Sequence, residues 1–312
     1  MSDLRVPTYD DIRGAAGLVA HWVRRTPTLD VEIEGRRATL KLELMQHAGS
    51  FKVRGAFTSV LTAPEPPGTL VAASGGNHGL AVAHVGHALG IATRIFVPRS
   101  APAVKVDAIA ALGAEVNQVG ATYAEAFEAS AEASSRAGGL ALHAYDAWGT
   151  VAGQGTLGLE IAEHVPDVET VLVAVGGGGL MSGLSHALAR ARPSARVVAV
   201  EPEACPTLNR ALEQGGPVDV AVGGVAADAL GASRLGVIAW ATVQAYYTQS
   251  VLVTDEAIDD ARRWLWRAAR IAAEPAGAAA LAALLSGAYQ PGDGERVCVV
   301  VCGGNADPAS LS

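Results

Sequence analysis
Aromatic residues are scarce in this 312-residue chain, 15 in all, and charged residues make up only 17% of it. Arginine and lysine number 23 against 31 aspartates and glutamates. This formal net charge of −8 lacks the basic footprint that binding a phosphate backbone requires, so no nucleic-acid partner is expected. Cysteine is nearly absent. Cys205, Cys298 and Cys302 are odd in number and have no paired CxxC spacing, which suggests neither a disulfide framework nor a zinc site. Long hydrophobic runs are missing too. VLVAV at 171–175 and VCVVVC at 297–302 have the length of strands and fall far short of a membrane span. The start, MSDLRVPTYDDIRG, has acids early and no apolar stretch before a cleavage site, so no secretory leader is expected and the cytoplasm is the expected location.

Hydrophobic residues are plentiful, half of the chain, and can bury a sizeable core. From about residue 70, short β-branched runs alternate with alanine-rich helical stretches: TLVAAS, TRIFVP, AEVNQVG and LALHAY, each followed by a helix. A second series follows with VETVLVAV, ARVVAVEP, SVLVTDEAI and RVCVVVC. Strands alternating with helices of this length predict βαβ units, hence two open, mostly parallel twisted sheets flanked by helices. Ligands in such folds bind at the carboxyl ends of the strands. Glycine clusters lie at three of those ends: VAASGGNHG (71–79), VAVGGGGLMSG (173–183) and VVVCGGN (299–305). A strand that delivers four glycines into a helix start exposes backbone N–H groups to an anion, and a phosphate suits Gly176–Gly179. Read as a loose GxGxxG with Glu201 downstream, the same stretch fits a nucleotide-binding dehydrogenase, a reading that leaves Lys52 without a role.

Taken together, SFKVRGA at 50–56, SGGNHG at 74–79, GGGGL at 176–180, EPAGA at 274–278 and CGGN at 302–305 resemble the fold-type II pyridoxal-phosphate enzymes, nearest the serine/threonine dehydratases and serine racemases. The resemblance runs from RTPT at 25–28 to the final CGGN, and it implies a tryptophan synthase β-like fold with the cofactor between two domains. Residues 1–68 and 147–312 would form a large cofactor-binding domain, and residues 69–146 a small, mobile domain gripping the substrate carboxylate. Lys52 would be the Schiff-base lysine and general base, and Phe51 would pack near the ring. Asn77 would bind the ring oxygen, while Gly176, Gly177, Gly178, Gly179 and Leu180 would hold the phosphate through their N–H groups. Cys302 would face the pyridine nitrogen as a neutral partner, favouring β-elimination over transamination. Ser74, Gly75, Asn77 and His78 would grip the substrate carboxylate, and Glu274 would stand behind the cofactor or merely start a helix. Glu201 aligns with a carboxylate ligand of a divalent-cation site found in some relatives, but Thr207 occupies the position of the second ligand, so no metal is carried over.

Three departures bear on the reaction. Racemases of the family place a serine where this chain has Gly75, which carries no proton, so elimination is favoured over racemisation. Tyr145 and Trp148 replace a polar, proline-containing segment, which either admits bulky 3-hydroxy amino acids or packs a hinge, and GGVAADALG at 223–231 also differs from the usual pattern. No C-terminal regulatory domain is expected after CGGNADPASLS. The resemblance thus implies a homodimeric ammonia-lyase acting on L-serine, L-threonine or a related 3-hydroxy amino acid. An amino-acid racemase, a β-replacement synthase and a cofactor-free amino-acid binder are the alternatives.

Overall fold
The computed structural model describes residues 4–246 and 248–311. After helix α1 (Tyr9–Val19), strands β1 (Thr28–Ile33) and β2 (Arg36–Lys41) form a hairpin, and α2 (Lys52–Leu61) leads into the first alternating series. That series is β3 (Thr69–Ala73), α3 (Asn77–Leu89), β4 (Ala92–Val97), α4 (Ala103–Ala110), β5 (Glu115–Gln118), α5 (Tyr123–Ala137) and β6 (Leu140–Ala141). The long α6 (Trp148–His164) opens the second: β7 (Thr170–Ala174), α7 (Gly179–Ala191), β8 (Arg196–Pro202), α8 (Thr207–Gln214), α9 (Ala227–Leu230), α10 (Val237–Tyr246), β9 (Gln249–Val253), α11 (Asp255–Ala269), α12 (Pro275–Leu285) and β10 (Val297–Val300). The strands form a four-stranded sheet, β5-β4-β3-β6, and a six-stranded sheet, β1-β2-β10-β7-β8-β9. Every pairing is parallel except the β1–β2 hairpin, as the sequence pattern led us to expect.

The pattern of side chains explains the layering. Strands covered by helices on both faces read as unbroken apolar runs, and every residue of β7 and β10 is buried. Helix α12 is buried along most of its length because PAGAAALAALL offers small side chains all round. The six-stranded sheet packs one core with α7 and α12, while Phe57, Val82, Val85 and Ile95 belong to a second core around the smaller sheet.

Glycines let α6 thread between its neighbours. A Cβ on Gly183 would lie 2.5 Å from the Gly155 nitrogen, and one on Gly158 would lie 2.7 Å from the Ala187 Cβ. Contacts that advance together along both helices make α6 and α7 parallel. A buried charge network fastens α6 to α2. Arg54 donates to Glu43 through Nε and Nη2 and to Glu160 through Nη1 (2.8 Å), while Lys41 Nζ reaches Glu160 Oε2 at 2.8 Å. All four side chains are buried.

Candidate active site
Lys52 is the first residue of α2, and the chain leading to it is stitched to the far end of the sequence. Ser50 bridges Gly303, and the Phe51 N–H donates to the Cys302 carbonyl. This pairing sets SFKV against CGGN at the carboxyl end of β10. The ends of β3 and β7 deliver the other two glycine loops to the same place, where one cavity is lined by Phe51, Lys52, Asn77, Gly176–Leu180, Glu274 and Cys302. The three clusters scattered through the sequence therefore meet, with Lys52 among them.

Lys52 Nζ donates to the Ala144 carbonyl at 2.8 Å and lies 5.1 Å from the centre of the Phe51 ring. Burial brings the amine down to about 8, against the opposing pull of Cys302 and Glu274. An amine in this range holds a substantial neutral fraction near physiological pH, which both nucleophilic attack and proton abstraction need. Cys302, just past the end of β10, is pushed up to about 12 by burial and donates to the Ala276 carbonyl, so it presents a neutral thiol.

The tetraglycine turn is held from all sides. Gly178 sits at φ +87, a left-handed conformation that side chains resist, and caps the start of α7. A Cβ on Gly179 would lie 2.9 Å from the Tyr145 Cα, so the loop's close approach to its neighbour excludes any side chain. Leu230 of α9 crosses over Gly176 in the same manner. The N–H groups of this turn and the start of α7 form an anion cradle.

Asn77 opens α3 and makes a chain of amide contacts. Its Nδ2 donates to Glu274 Oε1, and its Oδ1 accepts from Asn305 Nδ2 at 2.7 Å. Glu274 stands at the N-cap of α12 yet makes no capping bond, because its side chain turns into the cavity. Burial pushes its carboxyl up to about 7. Such a group contributes stability below the ordinary carboxylate value and loses it as pH rises through about 7. Glu274→Gln is therefore expected to flatten the pH dependence of the cofactor-free protein's stability across that window, measured as the urea midpoint against pH; an unchanged slope would refute the assignment.

Ser74 Oγ accepts from the Gly76 N–H at 3.2 Å, and Gly75 and Gly76 leave this loop without bulk. His78 is neutral, with burial holding it down at about 3, and its Nε2–H donates to the Leu142 carbonyl at 2.9 Å. Its ring ties α3 to β6, so what it offers an anion is a backbone N–H in the first turn of α3. Tyr145 and Trp148 part company. The Tyr145 ring packs on Gly177 and lines the cavity, whereas Trp148 stacks under the Arg5 guanidinium, 3.9 Å from its ring centre. Glu201 accepts from the N–H groups of Leu208 (2.7 Å) and Asn209 (2.8 Å) and from Ser250 Oγ (2.7 Å), which commits its carboxylate to the start of α8. Among the described residues no group of three metal-ligating side chains forms. Thr207 donates its hydroxyl to the Gly176 carbonyl, bracing the cradle from behind.

Three contributors escaped the sequence reading. Gln154 and Leu230 line the cavity, and Asn305 orients Asn77. Asn305 and Gln154 stand within CGGN and AGQGT, but only the fold shows where their side chains lie. Near the site, Lys105 Nζ of α4 meets Asp228 Oδ2 of α9 at 2.6 Å, and both charges act on Glu274.

A family model described as pyridoxal-phosphate dependent enzyme matches residues 19–303. The chain belongs to the pyridoxal-phosphate dependent enzymes. It is 37% identical to an L-threonine ammonia-lyase of Thermotoga maritima, over 96% of this chain and 76% of that protein. A phenylserine dehydratase of Ralstonia pickettii is 34% identical over 100% and 98% of the two chains. The solved structure of maize serine racemase superposes with a TM-score of 0.93 at 31% identity, covering 98% of this chain and 96% of that one.

The residues present fit pyridoxal phosphate. The cradle at Gly176–Gly179 would clash with any side chain placed on it, and so keeps its N–H groups open to a phosphate. Lys52 supplies a primary amine for the aldehyde, and Cys302 supplies a neutral thiol to the same cavity. The two Gln154 amide atoms, buried in the cavity wall and without partners among the described residues, are polar groups suited to a phosphate.

Proposed function
We propose that this protein is a pyridoxal-phosphate-dependent ammonia-lyase that converts L-serine, L-threonine or a related 3-hydroxy amino acid to a 2-oxo acid and ammonia. The observation that carries the reading is the meeting of a buried amine, Lys52, with the tetraglycine turn, Asn77 and the Cys302 thiol around one cavity, while the loop just before Asn77 has no side-chain proton donor at Gly75 or Gly76. When bound, pyridoxal phosphate supplies the electron sink that stabilises negative charge at the substrate α-carbon.

The chain's own residues do the rest. Gly176–Gly179 and Leu180 would hold the phosphate, Asn77 the ring oxygen, Cys302 the ring nitrogen, and Phe51 one edge of the ring. Ser74, the N–H groups around Gly75 and Gly76, and the first turn of α3 at Asn77 and His78 would take the substrate carboxylate, as the start of a helix favours an anion. Lys52 Nζ then removes the α-proton, and the β-hydroxyl departs as water once protonated. The released enamine tautomerises and hydrolyses, so the water lost is regained and ammonia is set free. Residues 69–146 would act as a mobile substrate-binding domain on the remainder, and a homodimer in the cytoplasm is the expected working form.

Tyr145 extends the reading to substrate choice. Its ring lines the cavity, and one relative of full-length similarity is named for phenylserine. We therefore place β-aryl 3-hydroxy amino acids beside serine and threonine as substrates. The test is a panel of such amino acids assayed for 2-oxo acid and ammonia without a thiol co-substrate; release from none of them would end the reading.

The racemase alternative can be switched on. A Cβ at Gly75 would meet only Val97 Cγ1, at 3.5 Å, so a serine fits there without strain. Gly75→Ser is expected to give measurable racemisation of L-serine by chiral chromatography, where the parent protein gives at least about tenfold less. Equal racemisation by both would show that this position does not control the protonated face.

A further inference from the structure
Gln154 lies midway along α6 and is 1% exposed, yet neither its Oε1 nor its Nε2 has a hydrogen-bond partner among the described residues. A carboxamide brings two N–H donors and an acceptor into the interior, and buried groups of this kind are almost always satisfied. Leaving both ends orphaned costs stability, so an apolar residue of the same size would suit a purely structural position better.

The surroundings indicate where the amide is aimed. Because α6 and α7 run parallel, with Gly155 packed on Gly183, and helical side chains lean toward the N-terminus of their own helix, Gln154 reaches toward the first turn of α7. That turn carries the tetraglycine cradle, and Gln154 lines the same cavity as Gly176–Leu180. On its other side the amide rests against α2, where Gly55 keeps the space open: a Cβ there would lie 2.6 Å from Nε2.

We propose that Gln154 is a side-chain anchor for the cofactor phosphate, its amide donating to a phosphate oxygen beside the backbone N–H groups of the cradle. The proposal rests on the functional reading above. Backbone donors alone hold an anion through fixed dipoles; an added side-chain donor to a charged acceptor gives a stronger bond and fixes the phosphate's rotation. The amide, without a partner among the described residues, would then find one in the bound phosphate.

The experiment compares the parent protein with Gln154→Met, which preserves shape without donors, and Gln154→Glu, which sets a negative charge against the phosphate. Each is stripped of cofactor, checked for fold by circular dichroism and thermal unfolding, and titrated with pyridoxal phosphate and with pyridoxal. Gln154→Met is expected to melt no lower than the parent when empty, and to bind pyridoxal phosphate about tenfold more weakly while binding pyridoxal within about twofold. Gln154→Glu is expected to lose about a hundredfold or more for the phosphorylated form alone. Equal weakening of both ligands, unchanged affinity for pyridoxal phosphate, or an effect confined to substrate KM would overturn the proposal. Failure of the parent protein itself to take up pyridoxal phosphate would overturn the functional reading, and this one with it; normal uptake by all three proteins overturns the role of Gln154 alone.

Discussion

Replacing Lys52 with alanine is expected to lower turnover by about 10⁴-fold or more, because on the proposed reading one residue supplies both the cofactor's covalent attachment and the base at the α-carbon. The fold should not suffer. Burial already depresses the amine to about 8, so its removal takes away a poorly solvated charge and one hydrogen bond to the Ala144 carbonyl. Circular dichroism and thermal unfolding of the cofactor-free variant should match the parent. Lys52→Arg should be equally inactive, since a guanidinium stays protonated at any working pH and attacks no aldehyde. Borohydride treatment of the loaded parent should fix pyridoxal phosphate on the peptide containing Lys52, and the variant should carry no label. A variant that keeps even a hundredth of the parent's turnover would refute the assignment.

The largest expected effect on stability lies two residues further along the same helix. Arg54 is fully buried and holds Glu43 and Glu160. Taking one member from a buried ion network leaves uncompensated charge in the interior, so Arg54→Met should cost about 3–5 kcal/mol, read as a lower urea midpoint. Glu160 retains Lys41 as a partner, whereas Glu43 retains, among the described residues, only Thr26 Oγ1 (2.7 Å) and the amide of Gln46. The double variant Arg54→Met, Glu43→Met should accordingly recover much of the loss, although it removes more native contacts. No recovery in the double variant would mean that packing rather than unpaired charge dominates. The pH dependence has a definite sign: Glu160 is held below its ordinary value, with Arg54 and then Lys41 outweighing the opposing effect of burial. A lowered carboxyl contributes stability above its unfolded value and loses it as pH falls through the folded one. Part of this acid sensitivity should disappear in Arg54→Met.

The alternation of strand and helix was legible because strands buried on both faces leave unbroken runs of β-branched residues, as in VLVAV and VCVVV. The β1–β2 hairpin was not. TLDVEI and RRATLK mix charges with apolar residues because β1 is an edge strand, and the turn between them puts Glu34 as well as Gly35 at positive φ. Glutamate is an unusual residue for that conformation, so the turn lacked its usual chemical mark. Lys52, Asn77 and the tetraglycine could be named from short contiguous motifs, since each works from the end of its own strand or helix. Gln154, Leu230 and Asn305 depend on helix packing and on chain crossings between distant segments. Tyr145 and Trp148, three residues apart, were open in the sequence to either lining the site or packing a hinge; Trp148 begins α6 and stacks under Arg5, while Tyr145 lines the cavity.

The Lys105–Asp228 pair bears on the proposed motion of residues 69–146 rather than on chemistry. Lys105 falls within residues 69–146 and Asp228 outside them, so if that segment moves as proposed, substrate entry and product exit would both require the pair to part. Asp228 is well exposed, and a solvent-facing pair of this kind adds well under a few kcal/mol at ordinary salt. On that reading it would be a light fastening, strong enough to bias the doorway shut between visits and weak enough to yield on each cycle. Dissolved ions screen it directly. On the same reading, the ionic strength of the surroundings would act on how long a bound amino acid stays inside, while the distances among Lys52, Asn77 and the cradle remain as the interior packing sets them.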